Sequence, residues 1–184
     1  MVEQDRRGKI VKETFPSEII SIVGDIFAGI VLTFLILPFE SFILLILIVP
    51  ALLSLRGNLS GPYIARTSRD IIIGEFNKRS ILENVAATYA LAAITALLIG
   101  VCSNLLNLFL FQLEIVSFGT LVSIPILSII FTLSLSIPCS TALNLLAFRY
   151  GIDPNNMVGP VMTAIDDFFT VICFYLTLIL LGVP

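Results

Sequence analysis

The sequence contains no histidine and no tryptophan, and charged residues make up only 12% of its 184 positions. Histidine is the side chain best suited to proton relays near neutral pH and the commonest metal ligand, so imidazole-based sites are excluded. The cysteines lie far apart, without a CxxC spacing, at Cys102, Cys139 and Cys173. We interpret them as buried apolar side chains rather than metal ligands or a disulfide. A nucleophile elbow and a Gly-rich phosphate loop are also absent, so an enzyme is not expected.

Long apolar runs make up most of the sequence. Hydrophobic residues make up 58% of the chain, and the mean hydropathy is +1.07. Such a composition predicts an all-α membrane protein, because a helix needs roughly 20 apolar residues to cross the bilayer. A short polar tail at residues 1–15 is expected to precede a transmembrane domain at residues 16–184. Within that domain we predict five spans, at residues 16–37, 41–55, 85–111, 118–148 and 157–183.

The second span is predicted to break rather than to end cleanly. The pairs Gly57-Asn58 and Gly61-Pro62 interrupt its helical pattern. Breaks of this kind free backbone carbonyls, and they are tolerated in a membrane only where they line a cavity or pack in protein. The arginines of this region are expected to mark the exit into a basic loop: Arg56, Arg66 and Arg69.

The basic residues predict the orientation of the chain. All ten Lys and Arg residues fall in the tail, in the connection between spans two and three, or in the loop between spans four and five. By the positive-inside rule, the N-terminus is cytoplasmic and the C-terminus is outside, in a multi-pass protein of the plasma membrane. Since the basic residues fit this rule, nucleic-acid binding is not expected. The same distribution leaves the acids of the last span without a basic partner at their depth.

Two adjacent acids, Asp166 and Asp167, lie near the middle of the last span. A charged side chain at that depth costs on the order of 3 kcal/mol on insertion scales, so intramembrane acids are functional candidates. Helical spacing places Asp167 on a small polar stripe with Thr163. Asp166 points roughly 100° away, toward a more apolar surface, where it either flanks the stripe or is protonated. The alternative is a pair of neutral acids that hydrogen bond inside a helix bundle.

A transported cation is the candidate partner for these acids. Carboxylate, hydroxyl and carbonyl oxygens favour a hard ion, and magnesium keeps several waters, so one or two carboxylates suffice to hold its hydration shell. A two-fold dimer would bring two copies of Asp167 to a shared axis. Asp25 lies two turns into the first span on a face with Ser21. It either contributes to a cation path or only solvates a helix end.

Two segments resemble the MgtE magnesium transporters, and especially their animal solute-carrier relatives. Residues 49–70 read VPALLSLRGNLSGPYIARTSRD and are similar to the second transmembrane segment of that family. Residues 151–171 read GIDPNNMVGPVMTAIDDFFTV and resemble its last connection and last helix. The family pattern is matched position by position by Asp153-Pro154, Pro160 and Asp167.

The resemblance implies a dimeric magnesium pathway lined by the second and fifth helices. It implies that Asp167 recognises the hydrated ion, with Asn58 nearby, and that other divalent cations are candidate substrates. Asp166 stands where the family often has a small or apolar residue. The chain resembles one unit of the two-unit animal proteins, so it is expected to pair with itself or with a paralogous half.

The residues leave two alternatives to a simple magnesium pathway. One is a secondary transporter that exchanges magnesium for sodium or protons, with Asp166 or Asp25 as the coupling site. The other is a non-transporting membrane subunit whose acids only fix a helix interface.

Overall fold

The computed structural model describes residues 2–40, 42–113 and 115–184, which form five long helices. Helix α1 spans Val2–Ile36, α2 Phe42–Ile73, α3 Lys78–Leu106, α4 Phe118–Arg149 and α5 Pro154–Leu180. A π-helical turn at Asn107–Phe111 extends α3. All five are long and apolar enough to cross a membrane, and the described residues contain no strand. The predicted all-α class and the count of five spans are therefore confirmed.

Helices α2, α4 and α5 form the interior, and α1 and α3 lie outside them. About half of the most apolar window of α2 and of α4 is buried, against 17% for α1. Helix α1 packs mainly on α5, and α3 packs on α2 and α4. Two glycines allow close approach of these outer helices. A Cβ on Gly24 would lie 2.4 Å from Cβ of Ala164, and one on Gly100 would lie 2.6 Å from Cα of Val122.

The predicted break in the second span is wrong. Helix α2 continues without interruption through Gly57-Asn58 and Gly61-Pro62 to Ile73, and ends where Gly74 takes a φ of +77°. Leu59 and Tyr63 are buried on its inner face, and this packing outweighs the hydrogen bond that Pro62 removes. The three arginines therefore lie in a helix, not in a basic loop.

Helix α5 begins at Pro154, three residues before the predicted start of the fifth span at residue 157. Asp153 caps the helix by accepting a hydrogen bond from the backbone N–H of Asn155 at 3.0 Å, and Pro154 occupies the first helical position, where its missing N–H is not needed. At the same end of the bundle, Nδ2 of Asn156 donates to Oε2 of Glu13 at 2.9 Å. This bond joins the N-terminal part of α1 to the first turn of α5.

Candidate cation site

The two adjacent acids lie at the centre of α5. Asp167 is thirteen residues from either end of the helix, which is about 20 Å at the usual helical rise. Asp166 is fully buried, whereas the side chain of Asp167 keeps 17% of its surface exposed. The expectation that Asp166 faces a more apolar surface is wrong, because Ser60 of α2 and Ser136 of α4 face its carboxyl group.

Asp167 has a basic partner inside the bundle. A guanidinium nitrogen of Arg56 forms an ion pair with Oδ1 of Asp167, and Arg56 is only 4% exposed. The prediction that these acids lack a countercharge at their depth is therefore wrong. Its cause is the continuity of α2, which carries Arg56 near the middle of a 32-residue helix instead of at a cytoplasmic exit.

Arg56 also interacts electrostatically with Asp166 and with Asp25 of α1. Asp25 accepts a hydrogen bond of 3.4 Å from the hydroxyl of Ser21, the residue expected on its face. One guanidinium thus interacts with three carboxylates, and it forms a direct ion pair with that of Asp167. We call Asp25, Arg56, Asp166 and Asp167 the central cluster; with all four groups ionised it has two more negative charges than positive ones.

Several polar atoms of the central cluster are buried without a hydrogen-bond partner among the described residues. They are both carboxylate oxygens of Asp166, Oδ1 of Asp25, Oδ1 of Asp167 and Nε of Arg56; the hydroxyl of Ser60 beside them is in the same state. Oδ1 of Asp167 is held only by its ion pair. Buried polar atoms are hydrogen-bonded in the great majority of cases, so such a concentration indicates a place that water or an ion completes.

The polar row of α4 continues this region along the bundle. Its members are spaced by four residues and all are buried: Ser128, Thr132, Ser136, Ser140 and Asn144. The hydroxyls of Thr132 and Ser140 donate to carbonyls of their own helix, whereas the Ser128 hydroxyl has no partner in the described structure. The row gives the interior a polar wall next to Asp166.

The remaining predicted site residues are not brought into the cluster. The hydroxyl of Thr163 donates to the carbonyl of Gly159 at 3.1 Å, so it is engaged within α5. Asn58 lies on the exposed face of α2, and two residues of helix turn it about 200° away from Arg56. Its predicted role near Asp167 stays a prediction.

Sequence reasoning missed three residues of this site: Arg56, Ser60 and Ser136. A signal for the first two was present, because Arg56, Leu59, Ser60 and Tyr63 keep helical spacing across the glycine pairs. Among the described residues, no three acidic or cysteine side chains converge closely enough to hold a bare metal ion. The arrangement instead suits an ion that keeps its waters, as magnesium does.

Comparison with known proteins agrees with this chemistry. The family model for MgtE, described as a divalent cation transporter, matches residues 49–177, more than two thirds of the chain. No curated protein and no solved structure matches the chain. The match covers most of α2, all of α3 and α4 and nearly all of α5, including three of the four residues of the central cluster. The chain belongs to the MgtE family of divalent cation transporters.

Proposed function

We propose that this protein conducts magnesium across the plasma membrane as a two-fold dimer, with Asp167 recognising the hydrated ion. The observation that carries the proposal is the charge of the central cluster. Its three carboxylates and one guanidinium, set at mid-helix in an apolar bundle, lack two positive charges. One divalent cation per cluster supplies that charge, and a carboxylate is the oxygen ligand that magnesium prefers.

Asp167 is the member of the cluster best placed to meet an ion from outside the protomer. It keeps part of its side chain exposed, whereas Asp166 is enclosed. The outer face of α2 supports close approach of a second copy, since Gly57 and Gly61 are exposed there with the spacing of a close-packing membrane motif. Asn58 lies on the same face, so dimerisation through α2 would bring it to the pathway.

The proposed orientation places the N-terminus in the cytoplasm. The hydrogen bond between Glu13 and Asn156 supports it, because this bond puts the start of α1 and the connection between α4 and α5 at one end of the bundle. Lys78 and Arg79 lie at the start of α3. Because α1 and α2 each cross the bundle once before α3 begins, these two residues belong to the same end as the N-terminus. A concentration of basic residues at one end of the bundle is typical of the cytoplasmic side of a membrane protein.

The test is magnesium flux into proteoliposomes that contain either the unaltered protein or Asp167→Asn. We expect the variant to lose at least about 99% of the flux, since removing a group that stabilises the passing ion by about 3 kcal/mol costs more than a hundredfold. Asp153→Asn is the matched control on the same helix, because asparagine caps a helix as well as aspartate does.

Imposed sodium and proton gradients extend the same experiment. Flux that needs no gradient supports a channel-like pathway, whereas flux that appears only with a gradient indicates an exchanger. Normal flux through Asp167→Asn would refute the role assigned to Asp167. A folded, unaltered protein without flux would instead favour a missing paralogous half or a non-transporting subunit.

A further inference from the structure

The ion pair between Arg56 and Asp167 occupies the group to which the cation is proposed to bind. A guanidinium and a hydrated divalent cation both bind carboxylate oxygens, so they compete for Asp167. An arginine fixed permanently on this carboxylate would block the site. Arg56 therefore needs a second partner that it can take when the cation arrives.

Asp166 has the properties of that second partner. It is adjacent to Asp167 in α5, it interacts electrostatically with Arg56, and both of its carboxylate oxygens are buried without a hydrogen bond among the described residues. Ser60, which faces Asp166, is one helical turn beyond Arg56 on α2, so the same side of α2 faces both acids. The Nε–H of Arg56 has no hydrogen-bond partner in the described part of the chain.

We propose that Arg56 is a tethered competitor of the transported cation, which holds Asp167 when the ion is absent and transfers to Asp166 when the ion binds. The proposal rests on the assignment of Asp167 under the proposed function. Transfer keeps Arg56 paired in both states, which avoids the large penalty of a buried unpaired charge. Arg56 thereby sets the cation concentration at which the pathway fills.

Charge alone and competition predict different outcomes for a double variant. Asp166→Asn combined with Arg56→Gln removes one negative and one positive charge, so the charge of the central cluster is unchanged. If Arg56 occupies Asp167 about 90% of the time, removing this competitor lowers the half-saturating magnesium concentration about tenfold. If only the charge of the cluster matters and Arg56 does not compete, the half-saturating magnesium concentration of the double variant should not change.

The single variant Asp166→Asn should change affinity in the opposite direction. It deletes the second partner of Arg56 and leaves the competitor on Asp167, so the half-saturating magnesium concentration should rise about tenfold. We would measure both variants by flux in proteoliposomes. The magnesium-dependent rise in melting temperature of the purified protein gives a second readout that does not depend on transport.

A half-saturating concentration in the double variant equal to or above that of the unaltered protein would overturn the proposal. If the double variant does not fold, Arg56→Lys decides the matter, because a single ammonium holds a carboxylate less firmly than a planar guanidinium. The half-saturating magnesium concentration of Arg56→Lys should fall. An unchanged or higher value would also overturn the proposed transfer of Arg56 between the two acids. Magnesium flux through Asp167→Asn would refute the proposed function itself, whereas loss of that flux with unchanged affinity in the double variant would refute only the role of Arg56.

Discussion

Two groups of charged residues on α2 differ in how fully they are satisfied. The first is the central cluster around Arg56. The second, which we call the end cluster, lies where α2 meets α3 and contains Asp70 and Arg69. Asp70 accepts a hydrogen bond from the Ser80 hydroxyl, interacts with Nδ2 of Asn84 at 3.5 Å, and lies 3.6 Å from Nε of Arg69. Asp166 in the central cluster has no hydrogen bond among the described residues.

The surroundings of the two groups differ as well. The end cluster borders an open polar cleft of about 480 Å³, and the side chain of Arg69 is 69% exposed. The central cluster is formed by residues of α1, α2 and α5, and Arg56 and Asp166 are almost fully buried within it. Short hydroxyl and amide side chains complete the end cluster, so it serves to join α2 to α3. The central cluster keeps buried polar atoms without a hydrogen-bond partner among the described residues, which agrees with the transport site proposed above.

The largest expected effect distinguishes the arginines of the two clusters. Arg56→Gln leaves the buried Asp166 and the partly buried Asp25 and Asp167 without their cation and should lower the free energy of unfolding by about 3–5 kcal/mol. Arg69→Gln removes an ion pair whose arginine is largely exposed and should cost less than about 1 kcal/mol. Denaturant titration of both variants in detergent micelles measures the difference. Equal losses would mean that burial does not distinguish the two ion pairs.

A smaller effect distinguishes the aspartates. Asp70→Asn weakens hydrogen bonds to a charged acceptor and should lower the free energy of unfolding by about 1–3 kcal/mol, with the half-saturating magnesium concentration unchanged. Asp166→Asn should have the reverse profile, with a small stability change and an altered half-saturating concentration. The same unfolding and flux assays report both quantities. A change of magnesium affinity in Asp70→Asn would contradict the separation of the two clusters.

The smallest effect concerns the polar row of α4. Ser128→Ala removes a buried hydroxyl that has no hydrogen-bond partner in the described structure, so the free energy of unfolding should change by less than about 0.5 kcal/mol. Thr132→Val is the matched control, because the Thr132 hydroxyl donates to the carbonyl of Ser128 at 2.8 Å and its loss should cost about 1 kcal/mol. Thermal unfolding in detergent would rank the two variants by stability. A larger loss of stability in Ser128→Ala than in Thr132→Val would show that the Ser128 hydroxyl does have a hydrogen-bond partner.

Sequence patterns were sufficient to predict those features of the structure that depend on local residues or on the length of an apolar run. Apolar length predicted five spans, although it placed the start of the fifth at residue 157, three residues after the Asp153 cap and Pro154 that begin α5. The depth of Asp167 followed from counting residues along one helix. Each of these properties depends on a single segment of chain.

Tertiary packing decided what the sequence patterns missed. Glycine and proline pairs locally favour a break in α2, but burial of Leu59 and Tyr63 against α3 and α4 keeps the helix intact. The position of Arg56 depends on that continuity, and so does its pairing with Asp167. Helical spacing separated the two acids by about 100°, yet the identity of the groups facing Asp166 depended on how α2 and α4 surround α5. The tail division at residues 1–15, the orientation and the dimer stay predictions.

The close approach at Gly24 constrains how the protein moves. Cα of Ala164 is 3.3 Å from a Cβ placed on Gly24, and the rings of Phe27 and Phe168 stack with their centroids 5.9 Å apart. Interlocked surfaces of this kind resist sliding, so α1 and α5 behave as a single rigid unit that carries Asp25, Asp166 and Asp167 together. We therefore expect the movable boundary of the proposed pathway to be the contact between this unit and α2, which Arg56 crosses to reach Asp167.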